Sequence, residues 1–178
     1  YELGTATGVI AEDVGGSASW TPPLSLANQL PNTHKGLCRI YCTTYQNGVP
    51  LGEKQSVTLT LTVPEDITPT VSATWQDKTS ASDLFGTPVQ LVSALTVTVT
   101  GQGAYGSTVV AQSVTLNGQP YAGGTLMQSG KLVLRVTVTD SRGRTAGADY
   151  PLSVAAYTPP QLSLSAHRCT EEGTADDT

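Results

Sequence analysis

Apolar and polar residues alternate with a period of two along most of this chain, the mark of half-buried strands. Val57, Leu59, Leu61 and Val63 share one face of a segment whose other face carries Thr58, Thr60 and Thr62. Pro64 ends that segment, because proline cannot donate to a ladder. Leu132, Leu134, Val136 and Val138 form a second inward row, with Arg135, Thr137 and Thr139 facing out. Further rows are Val71, Ala73 and Trp75; Leu91, Leu95, Val97 and Val99; Val110, Val114 and Leu116; and Tyr150, Leu152, Val154 and Ala156. Asn117-Gly118 is a hairpin turn signal that favours positive φ. Residues 67–157 are therefore predicted to hold about seven short strands, the size and spacing of an immunoglobulin-like sandwich without the Cys…Trp…Cys pattern of antibody domains.

The first 64 residues predict strands near 2–11, 36–45 and 55–63. A short helix is expected within 21–30, with Thr21 as N-cap and Pro22 or Pro23 in its first turn. A lone sandwich takes roughly 100 residues, so this region is expected to lack strands or to borrow them. Glu65 to Pro69 reads as a linker. After Pro159-Pro160, Leu162 and Leu164 begin another alternating segment. The predicted fold class is all-β, as tandem immunoglobulin-like β-sandwiches. Residues 1–64 form an incomplete module, 67–157 a complete one, and 158–178 a linker and the start of a following module.

Composition agrees with strands and removes other classes. Thr (27), Ser (15) and Val (17) dominate, with 18 Gly and 11 Pro to make turns. Charged residues are only 13% of the chain and the net charge is −5. Glu171, Glu172, Asp176 and Asp177 supply most of that, so residues 1–170 carry nine basic against ten acidic side chains. Such a body has no electrostatic footprint for nucleic acid, and no apolar run approaches the ~20 residues of a membrane span. Cys38 and Cys42, four apart on one strand face, would lie roughly 13 Å apart at ~3.3 Å per residue, too far for a disulfide. They read as small apolar residues flanking Ile40, and Cys169 leaves the count odd.

Candidate chemistry is sparse. His34 lies in a loop by composition and His167 near the C-terminus, and neither has the partners of a zinc site. No nucleophile elbow, metalloprotease helix or phosphate-binding loop motif occurs. Glu65 and Asp66 are adjacent on the linker and face apart, and Asp176-Asp177 lacks a calcium-loop pattern. No catalytic residue, cofactor or metal is expected. Tyr105 and Tyr121 sit in Gly-rich loops (GAYGS and PYAGG) where a ring can stack on a sugar or a protein, or cover a sandwich end. Trp75 reads as core and Trp20 as a plug on the short helix. Asp140, Arg142, Gly143 and Arg144 specify a turn: Asp140 accepts backbone N–H groups, Gly143 takes the left-handed conformation, and the arginines pair with Asp140 or Asp149. Exposed pairs of that kind contribute only ~0–1 kcal/mol.

Residues 136–160, VTVTDSRGRTAGADYPLSVAAYTPP, with the following Arg168-Cys169 and Glu172-Gly-Thr-Ala-Asp-Asp177, resemble the immunoglobulin-like modules of minor structural (tail) proteins from phages and prophages of Gram-positive hosts. Gly103 to Thr108 resembles a loop of that family, and Trp20 to Pro23, Thr44-Tyr45, Leu51 to Lys54 and Val63-Pro64 resemble the preceding module. Cys38 and Cys42 depart from the pattern. The resemblance implies a non-enzymatic virion component of the tail, assembled in the bacterial cytoplasm. Its implied partners are other tail proteins or copies of itself, and a host cell-wall glycan if it faces the host. The rival expectation is a bacterial surface adhesin or carbohydrate-binding module of the same fold. The inward row carries its own test: Leu134→Ala should cost about 2–5 kcal/mol in urea unfolding. A negligible cost would place Leu134 outside the core.

Overall fold

The computed structural model of the chain describes residues 1–165 and Glu171. It is all-β. Strands β1 (Glu2–Leu3), β2 (Ala6–Thr7), β3 (Lys35–Cys42), β4 (Tyr45–Gln46), β5 (Val49–Pro50) and β6 (Gln55–Thr62) occupy the N-terminal part. They are followed by β7 (Thr70–Asp77), β8 (Ala94–Gln102), β9 (Val109–Leu116), β10 (Gln119–Pro120), β11 (Gly124–Thr125), β12 (Gly130–Asp140) and β13 (Thr145–Val154). A 3-10 helix, Leu24–Gln29, and a short α-helix, α1 (Ala81–Phe85), interrupt them.

The N-terminal strands form an antiparallel sheet in the order β2-β1-β3-β6, with β4 and β5 as a separate hairpin. Cys38 lies opposite Leu59 and Ile40 opposite Val57, so the inward rows of β3 and β6 coincide. In place of a second sheet, the 3-10 helix covers this face. Leu26, Ala27 and Leu30 pack on Leu3, Cys38 and Val63. A Cβ on Gly36 would sit 2.4 Å from Leu30 Cδ2, so only glycine lets the helix approach. Trp20 joins this core and stacks on Tyr1 with ring centroids 4.8 Å apart.

Three expectations for this region change. The strand foreseen over 2–11 is a hairpin, turned at Gly4 with φ +57°. The helix caps at Pro23 rather than Thr21, because a residue before proline is held extended, and Thr21 and Pro22 both precede one. Cys38 is buried but Cys42 is exposed, since β3 runs on past the cover of the helix; both are free thiols. The same shortfall leaves Val57 and Leu59 exposed on the inward row of β6.

The C-terminal part is a β-sandwich of two sheets, β10-β9-β12-β13 and β11-β8-β7. Leu132, Leu134, Leu152 and Val154 of one sheet pack with Leu116, Leu126 and Leu95. Leu134, Val136 and Val138 are fully buried. Gly101 marks the close approach of the sheets, where a Cβ would stand 2.9 Å from Val138 Cγ1.

Departures here also have local causes. Val110 is exposed rather than inward, because the β9–β12 register shifts from Thr139 opposite Ala111 to Asp140 opposite Val109. Val110 is the extra residue of this bulge, and Val109 turns inward instead. Leu91 is not on a strand. It has φ +62° in a tight turn where Ser93 N–H donates to Val89 O, which puts Val89 and Ser93 inside and Leu91 outside. Trp75 is 37% exposed on β7, an edge strand.

Asp77, at the end of β7, anchors the loop that α1 belongs to. Its Oδ1 accepts from Thr79 N–H, Thr79 Oγ1 and Ala94 N–H, and its Oδ2 from Ser82 N–H, Ser82 Oγ and Ser93 Oγ, at 2.6–3.2 Å. Burial alone would push this carboxyl up. The hydrogen bonds from Ser93, Ser82 and Thr79 outweigh burial and hold it well below the usual carboxylate range. A carboxyl depressed in the folded state stabilises fully above its unfolded value, and that stability is lost as pH falls toward the folded value. The urea midpoint should therefore drop more between about pH 5 and pH 3 in the native sequence than in Asp77→Asn. Equal drops would remove Asp77 from the acid response.

Candidate functional site

The most chemically concentrated place in the molecule is the turn between β12 and β13, where it meets the N-terminal sheet. Even positions from Leu132 to Val138 point inward, and the same period carries Asp140 inward at the strand's end. Asp140 is 1% exposed. Its Oδ1 accepts from Arg142 N–H at 3.0 Å and Arg144 N–H at 2.9 Å, while Gly143, with φ +80°, donates its N–H to Asp140 O. Asp140 Oδ2 is buried without a hydrogen-bond partner. The carboxylate thus shapes the turn, and its charge acts on the Arg142 guanidinium.

The turn is not an exposed one. Arg142 is 7% exposed and its guanidinium fans across four backbone carbonyls. Nε donates to Leu30 O at 2.8 Å and Nη2 to Ala27 O at 2.9 Å, at the end of the 3-10 helix. Nη1 donates to Ala104 O at 2.7 Å, and Nη2 also to Tyr105 O. Leu30 O lies past the helix end, where a carbonyl has no partner within the helix, while Ala27 O also accepts from Leu30 N–H at 2.9 Å. Arg144 reaches the linker, donating to Val63 O and Ile67 O at 2.7 Å each. Ser141 Oγ donates to Pro31 O at 2.5 Å and accepts from Thr108 N–H. Burial pushes the Arg142 guanidinium down from its ordinary value, and the Asp140 charge opposes this. A guanidinium has ample margin to stay charged.

These guanidinium groups therefore pair with neither Asp149 nor Asp140; only the backbone N–H groups of Arg142 and Arg144 reach the Asp140 carboxylate. The Asp149 carboxylate binds Arg135 across the β12–β13 ladder at 3.0 and 3.1 Å, in the open. Backbone carbonyls of another part of the chain are the arginines' partners, and sequence reasoning about nearby acids could not show them. Two signals pointed that way. One was the period-two row that ends on Asp140. The other was the gathering of two of nine basic residues at one turn of a charge-poor chain.

Tyr105 and Tyr121 are not brought together. Tyr105 belongs to the joint: its backbone has φ +46°, its carbonyl takes an Arg142 bond, and the residue is 40% exposed. The neighbouring Gly103 and Gly106 allow the loop to fold this tightly, since a Cβ on Gly103 would overlap Ser107 O at 2.0 Å. Tyr121 lies along the sandwich, packed on its core, with its hydroxyl donating to Gly124 O at 2.6 Å and its N–H to Val114 O. Burial raises its pKa. His34, Glu65 and Asp66 are exposed. His167, Cys169, Glu172, Asp176 and Asp177 lie outside the described residues. Among the described residues no group of His, Cys, Asp or Glu is arranged to hold a metal, and no helix is long and apolar enough to cross a membrane.

An all-β chain with a β-sandwich and a carbonyl-capping arginine joint is thus the class that fold and site define. Its sequence matches, over residues 1–175, the family described as "Siphovirus protein of unknown function (DUF859)", and the chain belongs to that family. No curated protein and no solved structure matches it.

Removing the Arg142 side chain would leave Leu30 O and Tyr105 O at the joint without donors. Arg142→Ala should cost at least about 3 kcal/mol and split urea unfolding into two transitions, one for each side of the joint. Arg142→Lys should recover less than half of that, because one ammonium cannot span carbonyls on two segments. Full rescue by lysine would reduce the role of Arg142 to charge alone.

Proposed function

We propose that this chain is a non-enzymatic structural component of a siphovirus tail, a stiff spacer and assembly unit built from immunoglobulin-like modules. In this reading residues 1–64 are an incomplete module, 67–157 a complete one, and 158–178 lead into a following one. The observation that carries it is the joint. Six guanidinium hydrogen bonds, from Arg142 and Arg144, run to carbonyls of the helix, the linker and the Gly-rich loop. A linker alone would leave two β-units free to swing, and relative motion is the default where the interface is small. A virion appendage has to hold its parts at fixed spacing, and the buried Arg142 and half-buried Arg144 on fixed backbone acceptors provide that. The phage origin of the family supports the same reading.

The partners in this reading are other tail proteins or copies of this chain, and the site of assembly is the cytoplasm of a Gram-positive host. Contacts are expected at strand edges rather than through Tyr105 and Tyr121, whose backbone or hydroxyl groups already serve the joint and the sandwich. Immunogold electron microscopy of virions, with antibody raised against this chain, tests the proposal. Label confined to the tail is the expected result. Label on the head, on the host surface alone, or on no part of the particle would overturn it.

A further inference from the structure

Every long edge in a β-protein presents unpaired N–H and C=O groups, and proteins blunt such edges with charges, proline, bulges or short strands. This chain does so nearly everywhere. The edge strands β2, β10 and β11 have two residues each. On β7, the Ala73 N–H is capped by the Tyr150 hydroxyl at 2.7 Å. Strand β13 carries Pro151 and the Asp149 carboxylate, and Val89 bridges to Ala155 just beyond its end.

Strand β6 is the exception. It pairs with β3 on one side only and runs for eight residues, QSVTLTLT, without charge or proline. On its inward face Val57 and Leu59 are 57% and 42% exposed. Beside its C-terminal end a cleft of about 320 Å³ opens between the strand and the 3-10 helix, walled by Leu3, Leu24, Leu26, Leu30 and Leu61. A strand added at this edge would complete the ladder and cover the uncovered end of the inward row.

The chain also carries a segment with the periodicity of a strand that forms none in the described structure. Residues 161–165, QLSLS, alternate like β6 and have no charge. Leu162 and Leu164 are 92% and 87% exposed, with no regular structure around them. Reach excludes pairing within one copy. Strand β13 leads away from the joint, so its ten residues carry Val154 roughly 30 Å from it at ~3.3 Å per residue. The eight residues from Val154 to Leu162 span at most about 28 Å fully extended, and Leu59 lies further along β6 than the joint itself.

We propose that the 161–165 segment of one copy adds as a strand to the β6 edge of a second copy, Leu162 and Leu164 entering the cleft side, in a head-to-tail association. The interface is β-strand addition: main-chain hydrogen bonds hold the segment and alternate side chains fill the groove. It is heterologous, so an open assembly of any length keeps one free donor at one end and one free edge at the other and can add a further copy. The inference uses the edge and the segment alone and stands whether or not the chain belongs to a tail.

Light scattering on the full chain over a range of concentrations is the test. The average mass should rise with concentration beyond twice the monomer's 18.5 kDa. The donor variant L162D/L164D and the edge variant Leu59→Lys should each stay monomeric. Mixed together, they should form a dimer and nothing larger, since only one functional edge and one functional donor remain. A labelled peptide of residues 158–165 should bind the donor variant but not the edge variant, and circular dichroism verifies that both fold. A native chain that stays monomeric, with no peptide binding, would falsify the proposal. So would association that survives either variant. Immunogold label away from the tail, with association intact, would overturn the proposed function alone.

Discussion

The arrangement of this protein depends on one buried cation. Arg142 offers its donors to carbonyls from two segments distant in sequence: the end of the 3-10 helix and a Gly-rich loop that belongs to the sandwich. Without those donors, the helix end and the loop would bring unpaired backbone acceptors into a dry contact, which is expensive. With them, the contact becomes a fixed geometry. Asp140 makes this workable at both ends of the same side-chain problem. It folds the turn by accepting two backbone N–H groups, and its charge offsets part of what burial costs the Arg142 guanidinium.

Around this point the two β-units obey different rules. The sandwich closes its own core between two sheets. The N-terminal sheet has a six-residue helix for a lid, and that lid is fastened by a residue more than a hundred positions away. Gly36 lets the lid sit close and Arg142 holds its end, so the N-terminal core is partly assembled by the C-terminal sandwich. What the lid fails to cover is the Val57 end of β6.

Much of the fold was legible in the sequence, because period-two alternation is a direct record of which face meets the core. The Leu132–Val138 row, the β6 row, the Asn117-Gly118 turn and the Pro64 stop all lie where alternation and turn chemistry put them. The failures are equally physical. A bulge adds one residue and reverses the face of what precedes it, so Val110 read as inward. A tight turn took Leu91 out of the row to which its spacing assigned it. The site was half legible. The turn-forming roles of Asp140 and Gly143 follow from local chemistry. The targets of Arg142 and Arg144 are backbone carbonyls, which every residue possesses and no side-chain pattern reveals.

The path of the chain through the sandwich has a mechanical consequence. The polypeptide enters at Thr70, beside the Arg144-bonded linker, and leaves at Val154, with β7 and β13 both directed away from the joint. Tension along the molecule therefore pulls the start of one strand and the finish of the other in opposite directions along their length. The ladders of β7 with β8 and of β12 with β13 are loaded sideways, all rungs at once, instead of being peeled apart rung by rung. A sandwich threaded this way must break whole ladders together before it can lengthen.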